Sequence, residues 1–137
     1  MSRIAVTALV AVHIAATLWH GSAHRQLDIT LSFAETLFVY VVILIAPIAA
    51  AGLVWTRHRS AGLWLFFLSM LGAFLFGAYH HYVLVSPDNI GHLPAGNPAS
   101  QSQFIASAAA LALLELASCL YAAFCLGARL ARSPVLN

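Results

Sequence analysis

Charge is what this sequence has least of. Only 7% of its 137 residues are Asp, Glu, Lys or Arg, against about 25% in soluble domains, which excludes an ordinary soluble globular domain. The formal net charge is +2, and no basic run occurs, so a nucleic-acid partner is excluded as well. Cysteine is nearly absent. Cys119 and Cys125 form no C-x-x-C, which removes a thioredoxin-type dithiol and a cysteine-rich zinc site. Their spacing sets the thiols on roughly opposite faces of one helix, out of disulfide reach. With Met1 and Met70 as the only methionines, a thioether copper(I) carrier has no ligands. No glycine-rich phosphate loop is present. No E-x-x-H occurs, and the carboxylates are too few for a di-iron centre. Ser69, Ser107 and Ser118 have no histidine nearby on their own helix to activate them, so nucleophilic catalysis has no footing.

What is there is hydrophobic: 62% of the chain. It falls into four apolar runs, at about residues 4–23, 31–56, 61–83 and 103–128. Each has about the 20 residues that cross roughly 30 Å of hydrocarbon. The expectation is an all-α, single-domain integral membrane four-helix bundle, with a kink at Pro47. RQLDIT joins the first two runs, and Asp28 is placed to cap the second helix. RHRS joins the next two, and a turn-rich loop over about 84–102 joins the last pair. If the spans alternate, Arg3, Arg57, Arg59, Arg129 and Arg132 share one side and Arg25 alone takes the other. The positive-inside rule then puts both termini in the cytoplasm and the long loop outside a cell inner membrane. The first run, with Arg3 before it and Gly21 and Ala23 near its end, also resembles a cleaved signal peptide. Its interruption by His13 and its length favour retention.

The first run contains HIAATLWHGSAH. At about 100° per residue, His13, Thr17, His20 and His24 fall on one helix face. Counted at 1.5 Å per residue from the inner arginines, His20, His24, Glu35 and His80 lie at roughly 25, 31, 33 and 31 Å. Glu115 lies at roughly 21 Å and His13 at roughly 15 Å. Small residues mark the faces where membrane helices pack closely. Gly62, Ser69, Ala73 and Gly77 form such a face with His80 upon it, and Ala108, Ala112, Cys119 and Ala122 flank Glu115. A polar seam inside the bundle, towards the outer leaflet, is therefore expected. His81 lies one step round from His80, at the seam or at the headgroup boundary with Tyr82.

Charged groups within a membrane are costly and mark functional sites. HGSAH is an H-x-x-x-H pair, which offers two imidazoles from consecutive turns to one ion. The expected metal ligands are thus His20, His24, Glu35 and His80, a mixed nitrogen and oxygen set that suits zinc, copper or iron. His13, Glu115 and His81 are expected to support that site or to move protons. Asp88 and His92 read as solvated unless the loop folds over the seam, where they become outer ligands. His58 reads as a headgroup-facing loop residue. The functions that follow are metal-dependent redox chemistry on a lipid-soluble substrate, or metal handling at the periplasmic surface. Three other readings stand beside this one. Haem b takes His20 or His24 with His80 as axial ligands. A proton ladder runs through His13, Glu115, His20 and Glu35. An accessory subunit or assembly factor uses pairs such as His20–Glu35 or His13–Glu115 only to hold helices together.

Overall fold

The computed structural model describes residues 2–131. Met1 and Arg132, the latter one of the arginines used for orientation, lie outside the described residues. Among the described residues there are four long helices and no strand: α1 (Arg3–Gln26), α2 (Phe33–Leu53), α3 (Arg59–Val83) and α4 (Pro98–Leu130). All four are long and apolar enough to cross a membrane. Around the bundle, α1 packs on α4, α4 on α3, α3 on α2, and α2 back on α1. Leu18, Ile45, Leu68, Leu113 and Phe124 stand exposed on the outside. Helices apolar outside as well as within are what lipid contact requires.

The helix ends differ from expectation in instructive ways. Asp28 does not cap α2. It takes φ of 52°, the left-handed region that Asp tolerates better than most residues, and it ends α1. Beyond it, Ile29 N–H donates to the His24 carbonyl at 3.0 Å, which closes the last turn as in a Schellman motif. Ser32 caps α2 instead. Its hydroxyl accepts from Glu35 N–H at 3.3 Å, while Glu35 Oε2 accepts from Ser32 N–H at 2.6 Å. This is a reciprocal capping box. Helix α4 starts at Pro98 rather than near Gln103, because Asn97 accepts from Ala99 N–H at 2.9 Å and proline suits the first helical turn.

Two helices contain wide π turns. The one at Val39–Ile45 precedes Pro47. Proline has no N–H for the carbonyl four residues back and its ring crowds it, and the turn widens there. The other, Tyr79–Val83, ends α3, with Leu84 N–H donating to the Tyr79 carbonyl at 2.8 Å.

The interior is divided. One apolar block, at the end of the bundle carrying Arg3 and Arg59, gathers Val6, Val10, Val54, Leu63, Phe66, Met70 and Leu126, with both cysteines free and buried in it. A smaller block at the other end holds Ala23, Leu27, Ile29 and Phe104. Along α1 the order runs Val6, Val10, then His13 and His20, then Ala23, so the polar residues lie between the blocks. Gly62 lets α3 meet α2 at the first block. A Cβ there would stand 2.8 Å from Val54 N and 2.9 Å from Leu53 Cβ. Because backbone cannot yield as a side chain can, Gly62→Ala should lower stability by about 1–3 kcal/mol. Thermal unfolding of the detergent-held protein measures this, and an unchanged midpoint would contradict the packing.

Candidate metal centre

His20 and His24 occupy consecutive turns of α1, and their Nε2 atoms lie 3.1 Å apart. The tautomer of His20 follows from its neighbours. Ser107 Oγ lies 2.7 Å from the Gln103 carbonyl and 3.0 Å from that of Phe104, so its single proton goes to a carbonyl. His20 Nδ1, 2.8 Å from Ser107 Oγ, must then be the donor. Its Nε2 is left with a lone pair aimed at His24.

The opposite wall comes from α3, and the wide turn decides which histidine it presents. With i→i+5 bonding, each residue advances less far round the axis. The residue four beyond Gly77 then comes round to the Gly77 face, and that residue is His81. A Cβ on Gly77 would lie 3.7 Å from the His81 ring. His81 is 7% exposed and its ring centroid is 4.8 Å from that of His20.

The loop folds back over this point. Asn89 Nδ2 donates to the Leu84 carbonyl at 2.9 Å and Ile90 N–H donates to the His81 carbonyl at 3.0 Å. Asp88 is thereby turned inward and is 5% exposed. Its backbone carbonyl accepts from His81 Nδ1 at 2.9 Å, which leaves His81 Nε2 with the lone pair. Asp88 Oδ1 lies 3.0 Å from His24 Nε2 and 3.3 Å from His81 Nδ1, yet it is buried without a hydrogen bond. Burial pushes this carboxyl up, but the imidazoles of His24 and His81 outweigh that and hold it well below the ordinary carboxylate range. His20, His81 and Asp88 offer ligand atoms within 4.8 Å of one another, and His24 stands between His20 and Asp88. Phe104 closes the back, its ring 4.7, 5.2 and 5.4 Å from those of His20, His24 and His81.

Of the four ligands expected from sequence, His20 and His24 are brought together and Glu35 and His80 are not. Glu35 is committed to its capping box, with Oε1 3.8 Å from His80 Nδ1. His80 packs against Phe76 with ring centroids 4.2 Å apart and the rings tilted by 31°. The haem alternative needed His80 opposite α1, and α3 presents His81 there instead. Asp88 joins the cluster, whereas His92 is exposed, and among the described residues its ring makes no hydrogen bond. His58 is exposed in its loop and its ring accepts from Arg57 Nε at 3.2 Å. Deeper in, His13 Nε2 and Glu115 Oε1 lie 3.0 Å apart, with side chains 0% and 5% exposed. Sequence reasoning did not assign Ser107 and Phe104 to the site. Their spacing from Glu115 puts all three near one face of α4, which was the available signal.

Below the cluster a cavity of about 270 Å³ runs between the four helices. His20, His24, His81, Asp88 and Glu115 border it, and Ile43, Ala73, Ala108 and Ala112 help form its apolar walls. Comparison with known proteins finds no counterpart: no family model, curated protein or solved structure matches this chain.

Proposed function

We propose that this is an integral membrane protein of the cell inner membrane that binds a transition-metal ion among His20, His24, His81 and Asp88. The reading carries over from the sequence, with His81 and Asp88 taking the places expected of His80 and Glu35. The observation that carries it is the buried Asp88 Oδ1, without a hydrogen bond and 3.0 Å from His24 Nε2. A buried carboxylate oxygen without a hydrogen bond, set beside imidazoles, is a costly arrangement for a purely structural site. It is an ordinary one for ligands awaiting a cation.

The donors fit such an ion. Ring nitrogens 3.1 Å apart need to part only slightly to reach the edge, about 3.3–3.4 Å, of a tetrahedron with metal–nitrogen bonds of about 2.0–2.1 Å. Ser107 and the Asp88 carbonyl fix the tautomers of His20 and His81, as partners of metal-bound histidines do. Three imidazoles and one carboxylate suit zinc, copper or iron. Arg3, Arg57, Arg59 and Arg129 at the opposite end support cytoplasmic termini and a site near the outer face. A cavity against the cluster favours metal-dependent chemistry on a lipid-soluble molecule over simple metal handling.

Elemental analysis and an optical spectrum of the protein in detergent test the reading. One zinc, copper or iron per chain is expected, with no Soret band, and His20→Ala with His24→Ala should remove it. Protein that is metal-free and takes up none of the three ions on reconstitution would overturn the proposal.

A further inference from the structure

The inner end of the cavity carries chemistry that metal binding does not use. Glu115 is 4% exposed and forms part of the cavity wall. Its Oε1 is engaged by His13 Nε2 at 3.0 Å, while Oε2 makes no hydrogen bond among the described residues. Oε2 lies on the side of Gly77, 4.0 Å from where a Cβ of that residue would be. Wherever the proton shared by His13 and Glu115 sits between Nε2 and Oε1, Oε2 keeps its lone pairs. A carboxyl oxygen facing a hollow instead of a donor is an unfilled acceptor site.

From Ser107, bonded to His20, to Glu115 the backbone of α4 rises about 12 Å, while the Glu115 side chain reaches back, so that Oε2 and His81 Nε2 both lie 4.0 Å from where a Cβ of Gly77 would be. An occupant therefore needs an oxygen near Glu115, another near the cluster and apolar edges between, and the oxygen at Glu115 must bring a hydrogen. We propose that the cavity is a binding site for a lipid-soluble quinol, a flat ring with hydroxyls at opposite positions. One hydroxyl donates to Glu115 Oε2 and the other lies towards His20, His24 and Asp88. His13 acts as a positioning residue that holds Glu115 in place. This inference deepens the metal-site reading in naming a ligand class for the same cavity, but it requires only the walls and Glu115.

The test uses the full chain in detergent under anaerobic conditions, with tetramethylhydroquinone as probe and its dimethyl ether as control. Binding is measured by equilibrium dialysis, and metal content is read on the same samples. The ether has the same ring and no hydroxyl hydrogen, so it should bind at least about tenfold more weakly, as loss of a hydrogen bond to a carboxylate implies. Glu115→Gln should weaken the quinol by a similar factor and leave the ether unchanged. Ala112→Phe, which fills the cavity from its wall, should abolish binding of both and leave metal content as it was. Equal binding of quinol and ether, or quinol binding that survives Ala112→Phe, would overturn the proposal, as would no quinol binding by metal-loaded protein. Quinol binding with this pattern by protein that takes up no metal would support it while overturning the metal reading.

Discussion

Asp88→Asn is expected to release the metal ion, while Glu35→Gln and His80→Ala leave it in place. Asparagine keeps the size of the side chain and one oxygen, and the backbone carbonyl of residue 88 can still accept from His81 Nδ1, as it does at 2.9 Å. The loop therefore stays folded over α3. What is lost is the negative charge 3.0 Å from His24 Nε2 and 3.3 Å from His81 Nδ1. Residues that merely orient metal ligands are worth about 10–100-fold in affinity, so loss of a ligand should exceed the top of that range. Competition with a chelator of known strength measures it. Glu35 and His80 make a good control because sequence reasoning put them in the site, while their contacts are with Ser32, with Phe76 and with each other. Equal affinity of Asp88→Asn and the natural protein would show that the ion, if bound, sits elsewhere.

The second large effect concerns His13 and Glu115. Both side chains are almost wholly buried, at 0% and 5% exposure, and 3.0 Å apart. Removing one partner of such a pair strands the other in a low dielectric, at about 3–5 kcal/mol. His13→Leu should therefore destabilise the bundle by that order, seen as a lower midpoint in denaturant unfolding of the detergent-held protein. Adding Glu115→Leu should recover most of the loss, because replacing both members of a buried pair with apolar groups is often neutral. Metal content should be unchanged in both variants. If the single and double variants lose stability additively, the two groups are not coupled and the pairing is wrong.

The four helices were legible because composition alone demanded them. Runs of about 20 apolar residues with so few charges have no other stable form. The polar layer was legible too, from counting rise per residue. The approach of His81 and Asp88 to His20 and His24 was not, for two separate physical reasons. Face assignment on α3 assumed a uniform 100° step, and the wide turn at Tyr79–Val83 breaks that assumption within the very residues that matter. Asp88 depends on how a loop folds, and loop paths are not periodic. Even so, Ser86, Pro87 and Asn89 surround it with turn-forming residues, close enough to His81 that the chain had to reverse over the end of α3. Glu35 lies in a capping box instead of beside His20 and His24, and the sequence carried that role openly: Ser32 to Glu35 reads S-x-x-E ahead of an apolar run. Asp28 drew attention as an acid before a helix, and its tolerance of positive φ was the property that counted.

The two apolar blocks bear on how the bundle can breathe. Atoms beside a hollow lack partners on one side and are held less firmly than those in a filled core. The smaller block has four buried apolar residues, and α1 is tied to α4 there by Gln103, which donates to the Trp19 carbonyl at 2.9 Å, and by Ser100, which donates to Gln26 at 2.6 Å. Local openings follow the weakest cooperative unit, so that end parts first while the larger block keeps the helices in register. Guests dissolved among acyl chains would then slip in sideways between α1 and α2, where the packing is sparsest, and no aqueous channel is required.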